Sequence, residues 1–92
     1  MEIQEIRSQI DEIDKQIVNL VVKRMKMALQ AAEYKQAHHL PLLDRKRERE
    51  ILIQTAELAG EEYAGYAKVL FSTLFDLSKS YQTRILVHKG KR

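Results

Sequence analysis

Residues 3–20 read IQEIRSQIDEIDKQIVNL, and this stretch decides the fold. Its apolar residues lie alternately three and four positions apart, which indicates an amphipathic helix with one continuous apolar seam. The seam consists of Ile3, Ile6, Ile10, Ile13, Ile17 and Leu20. The same register continues beyond it and places one cation among the seam residues. Its next members are Arg24, Met27, Ala31 and Tyr34.

No glycine or proline occurs before Pro41, so the first helix is predicted to run from residue 3 to about residue 36. Such a helix is about 50 Å long at a rise of 1.5 Å per residue. That length is too great for a compact globule of 92 residues. The long apolar seam therefore predicts that a second copy of the chain packs against it.

The segment PLLDRKRERE, residues 41–50, begins a second helix. Pro41 disfavours helix at Leu40, so residues 36–43 are predicted to form a loop. Asp44 is a suitable N-cap and Gly60 a suitable stop. A third helix is predicted from Glu61 to Leu86. It would bury the stripe Tyr66, Val69, Leu70, Leu74, Leu77, Tyr81 and Ile85. The fold class is therefore all-α, with a helical domain over residues 1–86 and a basic tail over 87–92.

Composition narrows the class of protein. Apolar residues make up 45% and charged residues 32% of the chain, which is typical of a globular protein. No apolar run approaches the roughly 20 residues that a membrane span requires. Cysteine is absent and no leader is recognisable, so we expect a soluble protein of the cytoplasm.

The net charge of +3 comes from the end of the chain. Residues 1–83 hold all 13 acidic residues and 12 basic ones, whereas residues 84–92 hold four basic residues and no acid. A frayed, solubilising terminus explains this tail, and binding of nucleic acid through it is the less favoured alternative.

Arg24 and Lys35 lie on the same face of the first helix, about three turns apart, with Ala28 and Ala31 between them. Two cations thus flank a shallow gap. An unpaired buried guanidinium is costly, so an anionic partner is expected. The alternative is that the stem of Arg24 covers the core while its head reaches solvent.

Two further polar groups lie on later helices. Asp44, Arg47 and Glu48 share one face at the start of the second helix, where capping and intrahelical ion pairs are the alternative explanation. Ser78 and Gln82 stand four residues apart on the third helix. Polar residues on such a face are often simply exposed.

Other catalytic constellations are absent or weak in the sequence. The pair His38 and His39 lacks the spacing of metal ligands, and no glycine-rich phosphate loop occurs. No Ser–His–Asp arrangement is indicated either. We therefore expect neither a metal nor a cofactor.

The ordered set of Arg7 with IDEID, Arg24, Lys35, LDRKRERE, and Ser78 with Gln82 resembles the all-helical AroQ class of chorismate mutase. The resemblance covers nearly the whole chain. It implies an intertwined homodimer with two equivalent sites, each completed by Arg7 of the other chain. Arg7 precedes Arg24 by 17 residues, about 25 Å along a straight helix, so one chain cannot direct both at one small molecule.

The resemblance also implies the reaction and the roles of the residues. Chorismate would rearrange to prephenate, on the route to phenylalanine and tyrosine, without a cofactor. Arg7 and Arg24 would pair with the two carboxylates of this dianion, and Arg47 would support one of them. Lys35 and Gln82 would donate to the ether oxygen. Glu48, Asp44 and Ser78 would complete the site, with Glu48 and Asp44 at the ring hydroxyl.

The sequence departs from this family pattern at two places. Lys79 stands where relatives often have an apolar residue, and Leu43 where they often have a basic one. The chain ends soon after the third helix, so it is expected to be monofunctional.

Three alternatives to the mutase remain open. They are an isochorismate-pyruvate lyase of the same fold, a low-activity regulatory subunit that docks on a shikimate-pathway enzyme, and a helical dimerisation module or basic-tailed RNA binder. Asp44 and Glu48 beside Arg47 favour the mutase over the lyase, and Ser78 with Gln82 favours it over the regulatory subunit.

Overall fold

The computed structural model describes residues 1–90, with side chains through residue 87. Within that range the chain forms three α-helices and no strand, as the sequence predicts. The helices are α1 (Ile3–Ala37), α2 (Arg45–Ala59) and α3 (Ala64–Gly90). No helix among these residues is both long enough and apolar enough to cross a membrane.

The helix ends follow from local backbone chemistry. The α1 helix closes where the Leu40 N–H donates to the Lys35 carbonyl at 2.8 Å, with His39 at a positive φ of 55°. The Asp44 carboxylate accepts the Arg47 N–H at 3.0 Å and caps α2, which confirms the predicted N-cap. Gly60 ends α2 at a φ of 86°, a conformation that glycine adopts without a Cβ clash.

The third helix differs from its prediction at both ends. It begins at Ala64 rather than Glu61, because residues 61–63 form a turn in which the Tyr63 N–H donates to the Gly60 carbonyl at 3.1 Å. It continues to Gly90, so residues 87–90 extend α3. The rest of the predicted basic tail, residues 91–92, lies outside the described residues.

The α3 helix contacts both α1 and α2 in a molecule 56 Å long. The apolar core of the single chain is small. Its buried members among the described residues are Ala32, Ala56, Leu74, Phe75 and Leu86. The N-terminal seam of α1 from Ile3 to Leu20 is exposed along its whole length.

The predicted buried stripe of α3 is wrong for four residues in the single chain. Tyr66, Val69, Leu70 and Leu77 are exposed, while Tyr81 and Ile85 are half-buried. Apolar residues occur on more than one face of α3, and the other two helices of the same chain cover only the face that includes Leu74. Periodicity identified the apolar positions without showing which of them these helices cover.

Candidate active site

A cavity of about 340 Å³ lies between the C-terminal half of α1, the start of α2 and the middle of α3. This volume is in the range of small-molecule sites. Seven of the eight residues predicted from the sequence line this candidate cavity: Arg24, Lys35, Asp44, Arg47, Glu48, Ser78 and Gln82. Small residues, Ala28 and Ala31, form the gap between the two α1 cations, as predicted.

Arg24 is half-buried, and its guanidinium contacts three side chains of α3. Its guanidinium carbon lies 5.8 Å from the Phe71 ring centroid and 5.7 Å from that of Phe75, within the range of cation–π attraction. Its Nη1 donates to Ser78 Oγ at 3.4 Å, and Ser78 is only 6% exposed. The Arg24 head group therefore packs against α3, and its position is fixed by contacts with that helix.

Phe71 was not among the site residues predicted from the sequence. Phe71, Phe75, Ser78 and Gln82 follow one another at helical spacings of four, three and four residues. That periodicity places them on one face of α3. This common face was the available signal, although nothing in it specified Arg24 as the residue that the rings would contact.

Lys35 and Gln82 meet backbone carbonyls at the cavity wall. The Lys35 ammonium donates to the Leu42 carbonyl of the loop at 3.4 Å. The Gln82 Nε2 donates to the Ala28 carbonyl at 3.1 Å, which fixes the orientation of the amide. An ammonium has three N–H groups and an amide nitrogen two, so both residues retain donors for a ligand.

The start of α2 supplies the N-cap of that helix and three of the residues that line the cavity. Asp44 caps the helix, and its second carboxylate oxygen remains able to accept. Glu48 forms an ion pair with Lys79 of α3, in which Oε2 and Nζ are 2.9 Å apart. Among the described residues, Glu48 is thus paired across helices, whereas the alternative explanation expected an intrahelical pair.

The resulting site combines three cationic side chains, two carboxylates and two neutral polar groups. No group of three or more possible metal ligands occurs among the described residues. Fixed cations beside neutral donors suit a small anion with further polar oxygens. The arrangement offers binding, orientation and stabilisation of negative charge.

Arg7 does not reach this cavity in its own chain. It lies on the exposed N-terminal part of α1, outside the residues that line the site. The eighth predicted site residue therefore remains separate from the other seven in the single chain.

Known proteins resemble this chain over most of its length. The family model for chorismate mutase type II matches residues 6–83. A chorismate mutase from Methanocaldococcus jannaschii is 32% identical over 84 residues, which cover 89% of this chain and 85% of that protein.

Two bifunctional chorismate mutase/prephenate dehydratases also match. The Aquifex aeolicus protein is 39% identical over 64 residues, 70% of this chain and 18% of that protein. The Buchnera aphidicola protein is 34% identical over 82 residues, 87% of this chain and 21% of that protein. The chain thus spans about a fifth of the length of these two relatives. No solved structure gave a significant match.

The family resemblance inferred from the ordered polar residues is confirmed by both the family model and a relative matched over most of its own length. The chain belongs to the chorismate mutase type II family.

Proposed function

We propose that this chain converts chorismate to prephenate, a step toward phenylalanine and tyrosine. The observation that supports this most directly is the single cavity that gathers Arg24, Lys35, Arg47 and Gln82 from three helices. In the reaction a C–O bond breaks as a C–C bond forms, and negative charge develops on the ether oxygen. Both bonds belong to one molecule, so the protein needs neither a nucleophile nor a metal.

In this proposal Arg24 and Arg7 of the partner subunit bind the two substrate carboxylates, and Arg47 supports one of them. A guanidinium pairs with a carboxylate through two parallel hydrogen bonds, which fixes orientation as well as position. The contacts of Arg24 with Phe71, Phe75 and Ser78 hold it before the ligand arrives. Less ordering is then required on binding.

Lys35 and Gln82 act on the ether oxygen. Each has a donor left over after its contact with a backbone carbonyl. Donors placed where charge appears lower the barrier because the transition state gains more from them than the substrate does. Asp44 and Glu48 accept hydrogen bonds from the ring hydroxyl and position the ring, while the paired substrate carboxylates hold the compact conformer in which the reacting carbons meet.

The working unit is an intertwined homodimer in which Arg7 of the partner subunit completes each site. The exposed seam of α1 supports this, since its members are between 39% and 62% exposed in the single chain: Ile3, Ile6, Ile10, Ile13, Ile17 and Leu20. Antiparallel pairing of two α1 helices would bury these seams. The same pairing would bring Arg7 toward the partner's cavity, across the roughly 25 Å that separates it from Arg24 along one helix.

Incubation of the purified protein with chorismate tests the proposal, with product identified by chromatography. We expect prephenate. Isochorismate in a parallel reaction tests the lyase, whose product would be pyruvate. No turnover of either substrate by folded protein would favour the regulatory subunit or the dimerisation module. A cytoplasmic location stays part of the proposal, since a chain without cysteine suits a reducing compartment.

A further inference from the structure

Lys79 approaches the candidate cavity from outside. It follows Ser78 and precedes Gln82 by three residues on α3, yet its own side chain lines two neighbouring grooves. From that position its Nζ reaches Oε2 of Glu48 at 2.9 Å. Glu48 lines the cavity, so its carboxylate lies between Lys79 on one side and the ligand space on the other.

The two members of this pair differ in exposure. The side chain of Glu48 is 19% exposed and that of Lys79 is 40% exposed, so the acid lies deeper than the base. A carboxylate has two oxygens, and the ion pair occupies Oε2, which leaves Oε1 able to accept from a ligand. Because the ion pair already restricts rotation of the Glu48 side chain, less conformational entropy is lost when a ligand binds.

We infer that Lys79 is a positioning residue for Glu48. Its ion pair holds the Glu48 carboxylate so that Oε1 accepts a hydrogen bond from the ring hydroxyl of the substrate. This inference rests on the proposed function. The hydroxyl takes no part in bond making or breaking, so the Glu48 contact is the same in bound substrate and transition state. Such uniform binding changes KM and leaves kcat nearly constant.

Steady-state kinetics of Lys79→Gln test this role. We expect KM to rise about two- to fivefold, as for a partly exposed ion pair, with kcat within about twofold of the wild type. Lys79→Arg should restore most of the loss, because the charge is retained. Lys68→Gln is the matched control, since Lys68 is an exposed lysine of the same helix that lines neither the candidate cavity nor the two neighbouring grooves. A general folding defect would instead lower kcat through loss of active protein.

A double-mutant cycle shows whether Lys79 acts through Glu48. In a Glu48→Gln background, Lys79→Gln should have no further effect on KM. An equal effect in both backgrounds would overturn the inference, because Lys79 would then act on the substrate directly. An unchanged KM in the single variant Lys79→Gln would overturn it as well.

Lysine side-chain NMR of the ligand-free protein gives a reading that does not depend on turnover. The ε-methylene resonance of Lys79 should shift on Glu48→Gln, whereas that of Lys68 should not. An unchanged Lys79 resonance would refute the ion pair itself. A wild type without turnover of chorismate would refute the proposed function, and the positioning role with it, while the spectrum would still report on the pair.

Discussion

Replacing Lys35 by alanine should remove the main source of positive charge at the ether oxygen. Lys35 is half-buried at the cavity wall, where an effective dielectric constant of about 20 is appropriate. A full charge about 3 Å away would then gain about 5.5 kcal/mol, and about half of a charge on the oxygen gains about 3 kcal/mol. Loss of this interaction corresponds to about a hundredfold decrease in kcat, similar to removal of one oxyanion donor.

The assay is the initial rate of chorismate loss, followed spectrophotometrically over a range of substrate concentrations. Lys26→Ala is the matched control, because Lys26 is an exposed lysine of the same helix that does not line the cavity. It should retain wild-type kcat. Lys35→Ala should remain folded, since its contact with Leu42 is an exposed hydrogen bond. A kcat near that of the wild type would refute the assignment of Lys35, and a change confined to KM would place Lys35 at a substrate carboxylate instead.

Three further predictions concern the same site. Gln82→Ala should lower kcat by about two orders of magnitude in the same assay, because a donor to the developing charge is lost; wild-type turnover would exclude Gln82 from the reaction. Arg7→Ala and Arg24→Ala should each be nearly inactive, whereas co-expression should restore about a quarter of wild-type activity through mixed dimers with one intact site. Activity that stays at the level of the single variants would contradict a shared site. Turnover should stay flat between about pH 6 and pH 8, because the Gln82 amide does not titrate there, and a steep loss in the rate profile over that interval would count against it.

Helix order and most helix ends could be predicted because they depend on local chemistry. Pro41, Asp44 and Gly60 act on the backbone of their immediate neighbours. Asp44 and Gly60 directly flank α2, and Pro41 lies in the loop between α1 and α2. The start of α3 was misplaced because residues 61–63 continue the turn after Gly60. No proline, glycine or strong cap among these three residues marked that turn.

The shared location of the polar residues could be predicted, but their contacts could not. Spacing placed Arg24 in the seam register of α1, and the family resemblance implied that Ser78 and Gln82 belong to the same site. The contact of Arg24 with Phe71 and the pairing of Glu48 with Lys79 join different helices. Such contacts depend on how the helices pack, which is set by the shapes of many side chains together. The family resemblance identified Lys79 as a departure without predicting its partner.

The proposed dimer would couple folding and catalysis through one feature, the length of α1. A helix of 35 residues exceeds what two shorter helices can cover, and the five buried apolar residues among those described make a small core for a domain of this size. Pairing two chains along the exposed seam would bury the apolar surface that the single chain leaves in water. The same seam register contains Arg24, and Arg7 follows the seam residue Ile6 directly. Any pairing that aligns the two seams in antiparallel orientation therefore also sets where Arg7 lies relative to the partner's cavity. In this scheme, Arg7 cannot reach the cavity of its own chain, and the interface that stabilises the fold places it at the partner's cavity instead.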